Sequence, residues 1–411
     1  MRESYTLQLT AIAHGGAALG RYEGRVIFVP YALPGETVRV TFDTEGKERY
    51  AFARLVEVIV PSQDRVEPLC PYFGQTGCGG CQWQHAAYPA QLRYKETILA
   101  DQLARIGKIT TPPVKPMLPD ASGWAYRNHA RFHPAAEGGL GFQAADGSGV
   151  VAIEDCPVLH PLLSEMYVAL DLECEGLLAL SLRAGCATGD RMLIFEMEDD
   201  LPPALEVDLP VSCVLLLSDG LHVNLIGRNY ITEIVAGRRY RISAPSFFQV
   251  NTPQADRLVH TVLEYLDLRG NETVLDACCG VGLFTVHLAE RAALVIGVEL
   301  SPAAVADLLE NTTEQANVEV IEGPVEIVLP ELETSLDAAV VDPPRAGLER
   351  VALDALVERR PGRIVYVSCD PATLARDARR LNEAGYSLVE VQPVDMFPQT
   401  CHIESVALFA R

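Results

Sequence analysis

Glu272-Thr273-Val274-Leu275-Asp276-Ala277-Cys278-Cys279-Gly280-Val281-Gly282-Leu283-Phe284-Thr285 reads as an apolar strand, a Gly-x-Gly turn and the start of a helix. Gly280 and Gly282 would let a ligand approach the backbone at a helix N-terminus, where unpaired N–H groups point outward. Twenty-three residues after Asp276, a second apolar strand, Val295-Ile296-Gly297-Val298-Glu299, ends in a carboxylate. Glu299 is so placed to accept hydrogen bonds from both hydroxyls of a ribose. A third glycine at the dinucleotide spacing is missing, as is Gly-Lys-Ser/Thr, so the pair fits a nucleoside cofactor better than NAD or ATP.

Strands alternate with helices from residue 244 onward, the pattern of a mostly parallel sheet. One strand, 336–341, runs into Asp342-Pro343-Pro344-Arg345, and another, 363–367, into Ser368-Cys369-Asp370-Pro371. Ligands of open α/β sheets bind beyond the carboxyl ends of the strands, so the glycine loop, Glu299, Asp342 and Cys369 are expected on one edge. A helix expected over 372–381 would favour the Cys369 thiolate at its N-terminus. Two closing strands, 388–394 and 402–409, have a short connection and should be antiparallel, which brings Glu404 to the same edge, facing Cys369.

Upstream the pattern changes. Residues 1–62 alternate short β-like runs with glycine-rich turns, as in a small β-barrel. Residues 63–243 hold a cysteine-rich stretch, a helix expected over 88–106 and further β-like runs, an α+β domain. The expected fold is therefore multidomain: barrel at 1–62, central α+β domain at 63–243 and Rossmann-like α/β domain at 244–411. Hydrophobic residues make up 49% of the 411, ample for several cores, and no apolar run approaches the ~18 residues of a membrane span. The opening residues lack the pattern of a secretory signal, so a cytoplasmic protein without a membrane partner is expected.

The net charge of −22 argues at first against nucleic acid, but its distribution does not. Residues 1–133 carry 15 Lys+Arg against 12 Asp+Glu, a net of +3, which leaves −25 for the remainder. Phosphate contacts are expected in the less acidic part, with Arg21, Lys47, Arg49, Arg93, Lys95, Arg127 and Arg131 as candidates.

Four motifs make a resemblance specific. Ser246-Phe247-Phe248-Gln249-Val250-Asn251, Asp342 to Leu348, Ser368 to Asp377 and His402-Ile403-Glu404 are similar to the RNA 5-methyluridine methyltransferases. Gly15 to Arg21, Phe28-Val29-Pro30 and Leu33-Pro34-Gly35-Glu36 resemble a TRAM domain, an OB-like RNA-binding module, so the likeness spans nearly the whole chain. The resemblance implies a class I methyltransferase domain with S-adenosylmethionine held near Gln249, Cys278, Gly280, Gly282, Glu299 and Asp342. It also implies Cys369 as nucleophile, Glu404 as base, and Phe247 and Gln249 at a flipped uracil. Cys278 and Leu283 stand where relatives often carry an aromatic and a polar residue. The partner implied is RNA, 23S ribosomal RNA before transfer RNA, bound by a monomer. An amino-group methyltransferase is the alternative enzyme, since Asp-Pro-Pro can hold an exocyclic amine, but it would leave Cys369 and Glu404 idle. A non-catalytic RNA-binding protein is the other.

Eleven cysteines in a presumed cytosolic chain point to a metal or a nucleophile rather than to disulfides. Cys70, Cys78, Cys81 and the distant Cys156 offer four soft ligands, which suit zinc or an iron-sulfur cluster, and spacing alone does not choose. The resemblance does, implying a [4Fe-4S] cluster on these four residues.

Overall fold

The computed structural model describes residues 4–42, 49–172 and 175–411; Lys47 lies outside the described residues. Six strands, from Tyr5–Ile12 to Arg54–Val60, form a barrel-like sheet. Alternate side chains of its strands, among them Leu7, Leu9, Ile27, Val29, Val38 and Val40, meet in one core, as the two-residue period of a half-buried strand requires.

A seven-stranded sheet follows, built between His129–Pro134 and His222–Ile226. It is antiparallel except where Arg191–Met197 pairs with Ser212–Leu216. Phe132, Leu180, Leu182 and Phe195 fill its core.

The third layer positions the site. Seven strands, β1 (Thr273–Ala277), β2 (Leu294–Glu299), β3 (Val318–Glu322), β4 (Ala338–Val341), β5 (Arg363–Ser368), β6 (Ser387–Val394) and β7 (Glu404–Ala410), lie in the order β3-β2-β1-β4-β5-β7-β6. The first five are parallel, and β7 is antiparallel to both β5 and β6. Val274, Val295, Val340 and Val365 face one core and Leu275, Ile296, Ala339 and Ile364 the other. A sheet covered on both faces needs such near-continuous apolar strands. The carboxyl ends of β1, β2, β4 and β5 then share one edge, and the antiparallel β7 begins there.

Segments from the central region join this layer. Helix α1 (Tyr88–Arg105) starts with a proline in its first turn and buries Leu99 and Leu103 in the same core as Leu374 and Ala378 of helix α4 (Pro371–Glu383). The hairpin Tyr230–Val235/Arg238–Ser243 packs with helices α2 (Thr252–Leu266) and α3 (Pro302–Asn311) in the other core. Lys95 is the clearest departure from expectation: it is fully buried, its ammonium 2.6 Å from the equally buried Asp395. An exposed phosphate contact at Lys95 is thus ruled out. Arg93 and Arg131 are engaged by Asp64 and Glu196. No helix among the described residues is long and apolar enough to cross a membrane.

Candidate active site

A cavity of about 830 Å³ opens along the carboxyl edge of the sheet. Its lining includes Cys278, Gly280 and Glu299 together with Phe247, Gln249, Arg127 and Phe397. Asp342, Arg345, Cys369 and Glu404 lie on its wall as well. All the expected catalytic, substrate and cofactor residues therefore meet in one cavity, with Gly282 the exception. A Cβ at Gly282 would lie 2.5 Å from Leu308 Cδ1, so this glycine serves close packing of the loop on α3 and does not face the cavity.

The loop after β1 carries three positive φ angles, at Cys278 (61°), Gly280 (56°) and Gly282 (91°). For a cysteine that conformation is uncommon and costs strain. Gly280 has nothing within 4 Å of the place a Cβ would take, leaving its backbone open to a ligand. Its N–H donates to Glu299 Oε2 at 2.9 Å, and Ser301 N–H donates to Oε1 at 2.7 Å, so the carboxylate is oriented by two backbone donors.

Phe247 is 69% exposed while Ser246, Phe248 and Gln249 beside it are buried. The loop is tied to α3 by Asp307, a fully buried acid that accepts from the Ser243 hydroxyl at 2.6 Å and the Ser246 hydroxyl at 2.7 Å. At its far end Asn251 caps α2, accepting from Gln254 N–H, and its amide donates to Asp120 at 3.1 Å. Asp307 was absent from the sequence expectations, although an acid within Ala303-Ala304-Val305-Ala306-Asp307-Leu308-Leu309 is a signal of a buried, partnered carboxylate.

Cys369 follows β5, and Asp370 caps α4, accepting from the N–H groups of Ala372 and Thr373 at 2.9 Å each. A thiolate favoured at this helix N-terminus was expected. The opposite holds: burial, then the neighbouring Glu404 and Asp342, push the Cys369 thiol up to about 11. Burial and Asp342 likewise raise Glu404 well above the usual carboxylate range, with Arg345 opposing. Asp342 is pushed up to about 7 by burial and by Asp276. Three acidic groups crowd one cavity with Arg345 as counter-charge. Such a site favours a cationic ligand, and the donor set therefore fits a sulfonium cofactor.

The four expected ligand cysteines occupy one neighbourhood away from this cavity. Burial raises the Cys81 thiol to about 12, with Cys156, Cys78 and Cys70 adding to the shift, and the Cys156 thiol to about 11, with Cys78 and Cys70 adding. The described cysteines are all free thiols. Gly80 N–H points at Cys78 Sγ at 3.4 Å, and a Cβ at Gly77 or Gly79 would meet the backbone carbonyl of Tyr72 or Gln143, so the glycines allow the chain to wrap tightly. No group of three or more His, Cys, Asp or Glu among the described residues closes to the distances of a single metal ion. Four thiols in one neighbourhood are a soft donor set of the kind that zinc and iron-sulfur clusters both take.

Residues 326–411 match the tRNA (uracil-5-)-methyltransferase family, residues 274–346 a methyltransferase domain and residues 2–56 the TRAM domain. An RNA methyltransferase of Thermosynechococcus vestitus is 35% identical over 98% of this chain and 97% of its own. Another from Halalkalibacterium halodurans is 37% identical over 97% and 94%. Among solved structures, the Pyrococcus abyssi tRNA (uracil-54, C5)-methyltransferase in complex with S-adenosyl-L-homocysteine is similar over 99% of this chain and 100% of that one, with a TM-score of 0.78 and 27% identity.

Proposed function

The chain belongs to the RNA methyltransferases that join a TRAM domain to a uracil-5-methyltransferase domain, and from that premise we propose that it methylates C5 of a uridine in RNA through covalent catalysis by Cys369. The observation that carries the reading is the meeting of Cys369 and Glu404 in one cavity with Gly280, Glu299 and Asp342.

S-adenosylmethionine, when bound, supplies a methyl group on a positively charged sulfur. Glu299 would hold its ribose, and the loop Cys278–Gly280, Asp342 and Gln249 would bind the rest of it, while Gly282 packs the loop on α3. Uracil C5 is a weak nucleophile on its own. Cys369 first loses its thiol proton to solvent and adds as thiolate to C6, and the electron pair displaced from the C5–C6 double bond makes an enolate whose C5 would take the methyl group, with S-adenosylhomocysteine as the leaving group. Once C5 carries the methyl group, Glu404 removes the C5 proton, the double bond reforms and the C6–S bond breaks, returning Cys369 as thiolate. The target atom is inaccessible inside a stacked helix, so the nucleotide must be flipped or single-stranded, and the exposed Phe247 ring receives its face.

A [4Fe-4S] cluster on Cys70, Cys78, Cys81 and Cys156 belongs to the same reading. No redox step enters the methyl transfer, so its role is structural or in docking RNA. The enzyme acts as a cytoplasmic monomer. We place its target in 23S ribosomal RNA, on the combination of TRAM domain and cluster cysteines. The end-to-end likeness to a tRNA enzyme favours transfer RNA as the second reading. Mass mapping of 5-methyluridine in RNA from a strain lacking the gene decides between them, and unaltered 5-methyluridine in both RNAs would overturn the reading.

A further inference from the structure

The connection between β6 and β7 delivers Glu404 to the cavity, and many of the polar groups that fix it come from about 300 residues earlier. Asp395, at its start, accepts from Lys95 Nζ at 2.6 Å and from the Tyr88 hydroxyl at 2.8 Å. Lys95 Nζ also donates to the Phe397 carbonyl at 2.9 Å. Gln399, at the turn, has φ of 67°, a left-handed conformation that a non-glycine residue keeps only when its surroundings hold it there. Its carbonyl accepts from the N–H groups of both Gln82 and Trp83, at 3.1 and 3.0 Å. Its own N–H donates to Gln91 Oε1 at 2.9 Å, and its side-chain oxygen accepts from Gln91 Nε2 at 2.8 Å. Cys401 N–H reaches Gln82 Oε1 at 3.4 Å. Two of these donors, Gln82 and Trp83, directly follow Cys81, a member of the buried cysteine group.

We propose that Gln82, Gln91, Lys95 and Gln399 form a clasp through which the cysteine-rich segment positions the base Glu404. These are positioning residues: none lines the cavity, and each acts on Glu404 through the 395–403 connection. The inference rests on Glu404 being the base. It assigns the cysteine pocket a task in a reaction that uses no electron transfer, because order imposed on Cys81 is passed to Gln82 and Trp83 and so to the turn at Gln399. A loosened clasp would leave thiolate addition intact and slow the later proton removal, since displacing a catalytic group by about 1 Å can cost on the order of 10²-fold.

The test uses the full-length protein with two variants of different severity. Gln399→Gly suits the left-handed backbone and deletes only the side-chain bonds; Gln91→Met removes the buried amide at nearly constant volume. Both are expected to form the covalent RNA adduct at the parental rate and to resolve it about 10- to 10²-fold more slowly, with KM for RNA unchanged. Hydrogen exchange should quicken in 395–404 and not in β1 or β2. Cys81→Ala should quicken exchange in the same segment. Parental adduct resolution in both glutamine variants, or exchange in 395–404 that is unmoved by Cys81→Ala, would overturn the clasp. If Glu404→Gln itself failed to slow resolution, the assignment of the base would be at fault instead.

Discussion

Cys369 and the four cysteines near the barrel carry the same functional group, and burial raises the thiol at Cys369 as it does at Cys78, Cys81 and Cys156. What separates the two regions is the company. Around Cys81 and Cys156 the neighbours that raise the thiol further are mainly other thiols, so a shared cationic group relieves all of them at once. Around Cys369 the neighbours are two carboxyl groups and an arginine on the wall of an open cavity, so relief comes one proton and one ligand at a time. On the proposed reading, identical chemistry becomes a ligand set in one place and a nucleophile in the other because of what else faces the sulfur.

The contrast breaks first at the nucleophile. Cys369→Ala should abolish methyl transfer and leave no covalent RNA adduct on denaturing gels, while iron content stays at the parental level. An adduct that persisted in this variant would remove Cys369 from the chemistry. Glu404→Gln should come next, with the adduct formed and then held, and turnover lower by on the order of 10² to 10⁴, the usual worth of a positioned base.

On the other side of the comparison, protein purified without oxygen should be brown and contain about four irons per chain. Cys81→Ala should lose them, whereas Cys369→Ala should not. One zinc and no iron by metal analysis would reverse the choice made between the two donor chemistries.

Much of this was legible before any coordinates. The glycine loop, Glu299, Asp342 and Cys369 fall at the ends of apolar strands, and strand ends in a parallel sheet share an edge by topology alone. The reach of Glu404 followed from the short antiparallel return. What could not be read was pairing across long separations. Lys95 looks in sequence like any solvated charge, and only the fold brings Asp395, 300 positions later, against it. The partners of Asp307 and the turn at Gln399 were hidden for the same reason. The thiolate expected at Cys369 failed because the helix N-terminus is visible in the sequence, but Glu404 and Asp342 crowding it are neighbours only in space.

The pH behaviour of Cys369 sharpens the comparison further. With its thiol raised to about 11, alkylation by iodoacetamide in the free enzyme should climb through the neutral range and level off only near that value. A sulfonium in the cavity places a positive charge near the thiolate, and a unit charge a few ångströms away contributes more than the ~1.4 kcal/mol that one pH unit represents. S-adenosylmethionine should therefore move the alkylation midpoint down by about one unit or more, read on the peptide that contains Cys369. Neutral S-adenosylhomocysteine should move it much less. Equal shifts with both would mean that the acidic wall does not sense cofactor charge.

The smallest effect concerns the charges that remain free to meet RNA. Arg93 and Arg131 already hold carboxylates, so replacing either by glutamine exchanges one surface ion pair for none, a change of about 0–1 kcal/mol that should leave RNA binding nearly untouched. Arg127 and Arg345 differ: both line the cavity, and their recorded side-chain contacts are the His129 carbonyl for Arg127 and the His402 ring for Arg345. If they meet phosphates flanking the flipped nucleotide, each contact releases about one counterion on binding. Arg127→Gln should then weaken RNA binding several-fold at low salt and lower the slope of log affinity against log salt by about 0.7, the single-strand value, with cofactor affinity unchanged. Truncating the barrel would be a poorer probe, because its His14 lies 3.3 Å from the Asp370 carboxylate, beside the nucleophile, and its Gly16 carbonyl accepts from Trp83. A salt slope identical in Arg127→Gln, Arg131→Gln and the parent would place the phosphate contacts elsewhere on the molecule.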